Sequence, residues 1–184
     1  MGPSRTERRD AYVAKARHDV DALVARGVAI AGNAFSAVLF VKGSPSAADT
    51  GEGEPLAGAD GKALRAALAA LGYAPEDWCA MLTVDKRGAQ LDAMLIREAV
   101  CTLDPSTLVA CDDEAAQALR DAYAEQLAQL QDFDEAMLAP GKVARVLGMR
   151  VMNLGGFEAA LADPHDKQVM WRRLKQIPPL GAPY

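Results

Sequence analysis

The stretch Ser36-Ala-Val-Leu-Phe-Val-Lys42 is followed directly by a loop, residues 43–61, that holds five glycines and two prolines. A short, nearly continuous apolar run of this kind predicts a strand that is buried on both faces. Glycine and proline at this density predict a loop with special backbone angles. The next segment, Gly61 to Leu71, has the leucine spacing of a helix and ends at Gly72. Strand, glycine-rich loop and helix in this order are typical of an α/β fold.

The rest of the chain repeats this alternation. Further strands are predicted at 78–84, 107–111, 143–147 and 150–154, and further helices at 7–26, 91–100, about 112–130, 157–161 and 167–175. Strands that recur about every 30 residues between helices predict a mostly parallel sheet with helices on both faces. In such sheets ligands bind beyond the carboxyl ends of the strands. The loop 43–61 is therefore the favoured site, and the segments near Asp85 and Gly155-Gly156 are expected to open onto the same edge.

The composition is that of a globular domain. Of 184 residues, 51% are hydrophobic and 24% are charged. We expect one domain over 28–177, an N-terminal arm and helix over 1–27 packed on it, and a tail over 178–184. We find no apolar run of membrane-spanning length and no signal-peptide pattern, so we expect a cytoplasmic location. The net charge of −5 argues against coating of nucleic acid by bulk electrostatics but permits a local basic groove.

The chain offers few residues for a metal site. Its three cysteines, Cys79, Cys101 and Cys111, lie in or beside apolar stretches, and no pair has Cys-x-x-Cys spacing. We expect them to be buried apolar residues in a reducing compartment. The two histidines, His18 and His165, lie in charged helical surroundings. We therefore predict neither a metal site nor a cofactor.

The glycine-rich loop matches neither common phosphate-binding motif. Both the P-loop, which would end at Gly61-Lys62, and the Gly-x-Gly-x-x-Gly fingerprint need glycine where Leu56 stands. Residues Gly43 to Ser46 also lack the Gly-x-Ser-x-Gly pattern of a nucleophile elbow. The acidic residues of the loop are typical of solvated ones, but a carboxylate near a strand end can orient a water for hydrolysis. Asp49 is the candidate for that role.

Several loose motifs stand in a recognisable order over residues 26–177. They are Lys42-Gly-Ser-Pro-Ser46, Gly53-Glu-Pro-Leu-Ala-Gly58 with Gly61-Lys62, Leu103-Asp-Pro105, Leu108-Val-Ala-Cys-Asp-Asp-Glu-Ala-Ala116, and Phe157-Glu-Ala-Ala-Leu161 leading to Lys167 and Trp171. In order and spacing they resemble the uracil-DNA glycosylase superfamily, particularly its bacterial iron–sulfur (type 4) branch. The resemblance implies a three-layer α/β/α fold with a central, mostly parallel, four-stranded sheet.

The positions that would carry uracil chemistry hold other residues. A glycosylase of this kind flips a base into a pocket, stacks it on an aromatic ring, reads its edge with an amide and stabilises its departure. The resemblance puts the family's glutamate on Gly43, its stacking phenylalanine on Leu56, its asparagine near Leu82 or Thr83, and its histidine on Gly155 or Gly156. Three cysteines also cannot supply the four thiolates of the type 4 cluster. The activity implied by the resemblance is therefore lost or redirected.

Three functions stay open from the sequence. The first is a glycosylase-like domain that no longer removes uracil and retains weak binding of DNA or a nucleobase. The second is a glycosylase for another damaged base that uses Asp49 or Asp85 as its carboxylate. The third is a structural or interaction module. We expect a monomer without membrane contact, and the candidate ligand-binding residues are Gly43, Ser44, Pro45, Ser46, Leu56, Leu82, Thr83, Gly155 and Gly156.

Basic residues form two weak clusters in the sequence. The two clusters are Lys142, Arg145 and Arg150, and Arg172, Arg173 and Lys175. Either cluster can contact phosphates. A solvated helix face is the more common explanation for such spacing.

Overall fold

The computed structural model describes residues 4–179, which contain six strands and eight α-helices. The helices are α1 (Arg5–Ala25), α2 (Ala59–Ala70), α3 (Ala93–Leu103), α4 (Asp113–Ala122), α5 (Ala124–Leu127), α6 (Phe133–Ala136), α7 (Phe157–Ala160) and α8 (Pro164–Leu174). The strands are β1 (Ile30–Gly32), β2 (Val38–Lys42), β3 (Trp78–Leu82), β4 (Thr107–Ala110), β5 (Val143–Val146) and β6 (Met149–Asn153). The outer parts of the predicted arm and tail, residues 1–3 and 180–184, lie outside the described residues.

The six strands of the described chain form one mixed sheet in the order β1-β3-β2-β4-β6-β5. The four inner strands are parallel neighbours, whereas β1 pairs antiparallel with β3 and β5 pairs antiparallel with β6. The α/β class is confirmed. The prediction of four strands is wrong, because two antiparallel edge strands extend the sheet to six. The strand β1 was not predicted, since three residues are too few to show a hydrophobic pattern.

Helices cover both faces of the sheet. Leu39 and Val41 of β2 face a core that includes residues of α1, α3 and α4, whereas Val38 and Phe40 face a core that includes residues of α2, α7 and α8. All five residues of β2 are buried for this reason. Burial on both faces accounts for the uninterrupted apolar run from which the strand was predicted.

The long N-terminal helix begins earlier than predicted. Ser4 and Glu7 form a capping box, in which Glu7 N donates to Ser4 Oγ (3.2 Å) and Ser4 N donates to Glu7 Oε2 (2.6 Å). The helix buries Leu23 near its end, and Arg26, just beyond it, forms an ion pair of 2.6 Å with Glu98 of α3. The predicted helix over 112–130 is divided at Tyr123 into α4 and α5. Between residues 4 and 179, no helix combines the length and apolarity that a membrane span requires.

Candidate functional site

The carboxyl ends of β2, β4 and β6 lie beside a cavity of about 390 Å³. The chain leaves β2 for β3 on one side and leaves β4 for β6 on the other, so the gap between β2 and β4 is a topological switch point. Ligands of open α/β sheets bind at such a point. The lining residues come from these strand ends and from the first turns of the helices beside them; they are Lys42, Ser44, Asp60, Cys111, Asp112, Asp113, Glu114, Gly156, Phe157, Glu158 and Ala159.

Lys42, the last residue of β2, is 2% exposed and donates to three carboxylates. Its Nζ lies 2.7 Å from Asp49 Oδ2, 2.6 Å from Asp60 Oδ2 and 2.9 Å from Glu158 Oε2. Asp49 belongs to the glycine-rich loop, Asp60 to the first turn of α2 and Glu158 to α7. An ammonium has three N–H donors, and here each has a carboxylate acceptor. One side chain therefore ties three separate segments to the end of β2.

Lys42, Asp49, Asp60 and Glu158 form an ion cluster, and its three carboxylates keep Lys42 protonated. Burial lowers the pKa of Lys42, but its hydrogen bonds to Asp49, Asp60 and Glu158 raise the pKa by more, so that it lies well above its ordinary value. A protonated amine has no lone pair and cannot act as a nucleophile or a base. In this geometry Lys42 neutralises and positions the carboxylates around it.

Asp49, one of the two predicted catalytic carboxylates, accepts a hydrogen bond from Lys42 and does not line the cavity. Its Oδ2 accepts hydrogen bonds from Lys42 Nζ, Ser46 N and Ser46 Oγ, each at 2.7 Å, and its Oδ1 accepts from Ala57 N at 3.1 Å. The residue is 1% exposed. A catalytic role for Asp49 stays a prediction, and its contacts are those of a residue that fixes the loop.

Asp49 is expected to make the stability of the protein depend on acid pH. Burial raises the pKa of Asp49, but hydrogen bonds from Lys42 and Ser46 lower it by more, so the folded pKa lies below the ordinary value. The resulting stabilisation is present above the unfolded pKa of about 3.9 and is lost as the pH falls through the folded pKa. We expect the free energy of unfolding, measured with urea, to fall below about pH 4, and to fall less in Asp49→Asn.

The control for this acid titration is Asp10→Asn, on the exposed part of α1. It is expected to keep the acid dependence of the unmodified protein. An acid dependence as steep in Asp49→Asn as in Asp10→Asn would contradict the prediction.

The carboxylate of Asp112 accepts hydrogen bonds from the backbone amides that follow β2. Gly43 N donates to its Oδ1 and Oδ2 at 3.0 and 3.1 Å, and Ser44 N donates to its Oδ2 at 3.0 Å. Ala115 N donates to Oδ1 at 2.8 Å, so Asp112 caps α4. The amides at the start of the glycine-rich loop are thus satisfied by the protein's own side chain.

Gly43 packs against the first turn of α4. A Cβ atom built on this residue would lie 2.3 Å from Ala115 N and 2.6 Å from the carbonyl carbon of Glu114. Both neighbours are backbone atoms, which cannot move aside as a side chain can. The position that the resemblance gives to the family's glutamate therefore has no room for a side chain.

Some of the other predicted ligand-binding residues line the cavity, and the rest do not. Ser44 and Gly156 line the cavity. Leu56, Leu82 and Thr83 are buried, and Gly155 packs closely on Pro140, where a Cβ atom would lie 2.7 Å from the proline Cβ. The predicted residues outside the cavity lining are Gly43, Pro45, Ser46, Leu56, Leu82, Thr83 and Gly155.

Asp85, the second predicted catalytic carboxylate, lies in the turn after β3. Its Oδ1 accepts hydrogen bonds from Arg87 N at 2.8 Å and from Ala89 N at 2.9 Å. The turn closes with a bridge between Val84 and Gln90. Asp85 thus stabilises its own turn and does not line the cavity beside Lys42.

The central members of the cluster, Lys42, Asp60 and Glu158, are not among the predicted site residues. One signal was present: a lysine that ends a doubly buried strand must find anionic partners, because lysine is almost never buried unpaired. The identity of those partners carried no sequence signal, since Asp60 and Glu158 lie 18 and 116 residues away along the chain.

The cavity is acidic. Of its described lining residues, five are carboxylates and one is an ammonium. The two basic clusters lie elsewhere: Arg145 and Arg150 are partners across β5 and β6, and the other cluster lies at the end of α8. Within residues 4–179, no group of histidine, cysteine, aspartate and glutamate side chains is placed to hold a metal ion.

Neither a scan against protein-family models nor a search of the curated proteins found a match to this chain.

Proposed function

We propose that this chain is a uracil-DNA glycosylase-like domain that does not excise uracil and that binds a nucleobase in the cavity between β2 and β4. The engagement of the Gly43 and Ser44 amides by Asp112 carries the proposal. The resemblance places the catalytic carboxylate of the family at Gly43, where this chain has an internal carboxylate ligand and no room for a side chain. Four adjacent parallel strands with helices on both faces support the fold.

The charge of the cavity argues for a small ligand and against a DNA duplex. DNA binding depends mainly on lysine and arginine contacts to phosphates. The described lining residues include five carboxylates, and their one ammonium, Lys42, is fully engaged by carboxylates. Phosphates approaching this mouth would be repelled, so we expect DNA to bind weakly.

The other two functions left open by the sequence have less support. A glycosylase for another base would need Asp49 or Asp85 to hold a water, but Asp49 is buried with both oxygens engaged and Asp85 is held in its own turn. A purely structural domain would need no cavity at the switch point, whereas Phe157 forms one wall of this cavity without filling it.

The proposal predicts no strand cleavage at uracil. The purified protein is incubated with single-stranded and double-stranded DNA that carries one uracil, treated with alkali, and compared with an active uracil-DNA glycosylase on the same substrate. The same mixtures are run on a native gel at low salt, and binding of uracil and of adenosine to the protein alone is measured by calorimetry. We expect no cleavage, little or no gel shift, and heat of binding for at least one of the two small ligands.

Cleavage at uracil above the level of a no-enzyme control would show that the proposal is wrong. If neither uracil nor adenosine binds, the proposed nucleobase binding is wrong. A strong gel shift at physiological salt would contradict the expected weak binding of DNA, because nonspecific electrostatic binding decreases steeply with salt.

A further inference from the structure

The outer edge of the sheet, at β5, has main-chain groups without partners. A two-residue turn, Leu147-Gly148, joins β5 to β6, and Arg145 pairs with Arg150 across this hairpin. Arg150 N donates to Ser106 O, next to β4, at 2.9 Å. Because the main chain of Arg150 faces β4, the N–H and C=O of Arg145 point the other way, out of the sheet. No described residue forms a backbone hydrogen bond with them.

Two arginine side chains lie next to each other on one face of this edge. Residues opposite each other in a pair of this kind have Cα atoms about 4.5 Å apart, so Arg145 and Arg150 are close neighbours. The ion pairs of the described chain include neither of them. Arg145 is exposed, and Arg150 is half-buried and donates through Nη2 to Gln176 O at 3.0 Å. Like charges directly opposite each other destabilise a sheet, so an anionic group placed here would offset their repulsion.

These two features together favour an extended acidic segment as the partner. A free sheet edge binds an extended chain through main-chain hydrogen bonds, and a nucleic acid has no peptide groups to form them. A second copy of this chain, joined β5 to β5, would bring a second Arg145 and a second Arg150 to the same face and would increase the repulsion. A strand with carboxylates on one face would instead place negative charge beside the two arginines.

We infer that β5 binds an extended, acidic segment of another protein, which adds one further strand to the sheet. The N–H and C=O of Arg145 form hydrogen bonds with the main chain of that segment, and its carboxylates face Arg145 and Arg150. The strand β6 lies between β5 and β4, so this edge is separate from the cavity between β2 and β4. The inference therefore does not depend on nucleobase binding.

The probe is a fluorescently labelled peptide of eight residues in which glutamate alternates with valine. The alternation puts every carboxylate on one face of a strand. Anisotropy measures its affinity for the full chain at physiological ionic strength, where repulsion from the net charge of −5 is largely screened. We expect the same peptide with glutamine in place of glutamate to bind at least about threefold more weakly, because it lacks the ion pairs. No binding of the glutamate peptide, or equal affinities of the two peptides, would overturn the inference.

Two N-methylated forms of the glutamate peptide test the main-chain hydrogen bonds. One carries N-methyl groups on the glutamates and the other carries them on the valines. In an added strand, alternate N–H groups point to β5 and the others point away from it. We therefore expect one of the two forms to lose most of its affinity and the other to keep it. An equal effect of the two modifications would show that the peptide does not pair with the edge, and would overturn the inference.

Variants of β5 locate the bound peptide. Arg145→Gln is expected to weaken binding of the glutamate peptide at least about threefold, because it removes an exposed charge. The matched control is Arg8→Gln, an exposed arginine of α1, which is expected to leave the affinity unchanged. Arg145→Pro also removes the outward N–H, so it is expected to bind more weakly than Arg145→Gln; proline is tolerated where the N–H of an edge strand faces solvent. Thermal unfolding checks that each variant is folded.

Two results would contradict this location or this partner. Equal affinities of Arg145→Gln and Arg8→Gln would place the peptide away from β5 and overturn the inference. If unlabelled single-stranded DNA displaces the labelled peptide more effectively than unlabelled peptide does, the partner is a nucleic acid and the inference is wrong. Should Arg145→Pro not fold, the two N-methylated peptides still decide whether the edge is paired.

Discussion

Replacing Lys42 with methionine is expected to lower the free energy of unfolding by about 3–5 kcal/mol, which is the usual cost of removing one partner from a buried ion pair. Methionine fills a similar volume, so the loss arises from charge rather than from a hole. Asp49 and Asp60, each 1% exposed, would then face each other without the ammonium that separates them. Urea denaturation monitored by circular dichroism measures the effect. A protein of ordinary stability, about 5–15 kcal/mol, would lose a large share of it.

Two further variants test whether the loss of stability comes from the uncompensated carboxylates or simply from replacing a lysine with methionine. Lys62→Met removes an exposed lysine from α2 and is expected to change stability by less than about 0.5 kcal/mol. The triple variant Lys42→Met, Asp49→Asn, Asp60→Asn removes the uncompensated charges and is expected to recover part of the loss. A Lys42→Met protein no less stable than Lys62→Met would show that the ion cluster does not stabilise the fold.

The elements of the inner sheet were predictable because their signals are local. Strands buried on both faces show as apolar runs, and the run that ends at Lys42 identified β2 within two residues of its observed start. The edge strand β1 gave no such signal, since three residues that are mostly half-buried have no pattern to read. The capping residues Ser4 and Asp112 have the residue types and the spacing from which an N-cap can be predicted.

The site was less predictable because its contacts are long-range. Loop 43–61 was correctly expected at the carboxyl end of β2, and Ser44 and Gly156 line the cavity there. Asp49 was selected as a water-orienting carboxylate from its position near a strand end. Its actual partners, an ammonium seven residues before it and an amide eight residues after it, depend on how the loop folds back. Residue type and spacing alone do not determine that path.

Introducing a glutamate at position 43 is expected to damage the fold rather than to give uracil excision. The backbone of Gly43 does not adopt a positive φ, so a side chain is excluded by space and not by backbone angle. A Cβ atom there would lie 2.3 Å from Ala115 N, inside the first turn of α4. Moving that turn would also break the hydrogen bonds that Gly43 N and Ser44 N donate to Asp112. We expect Gly43→Ala, the smallest such change, to cost about 3 kcal/mol or more, the upper end of overpacking.

The matched control is Gly51→Ala in the same loop. Gly51 has a positive φ of 65°, and a Cβ atom there meets nothing within 4 Å, so its replacement costs backbone strain alone, about 1 kcal/mol. Urea denaturation should therefore rank Gly43→Ala well below Gly51→Ala in stability, and Gly43→Glu should leave uracil-containing DNA intact in the alkali assay. If Gly43→Glu folds as stably as Gly51→Ala, α4 can move away from β2. If it also cleaves at uracil, a carboxylate at position 43 is sufficient for excision, and the close packing of Gly43 on α4 does not prevent it.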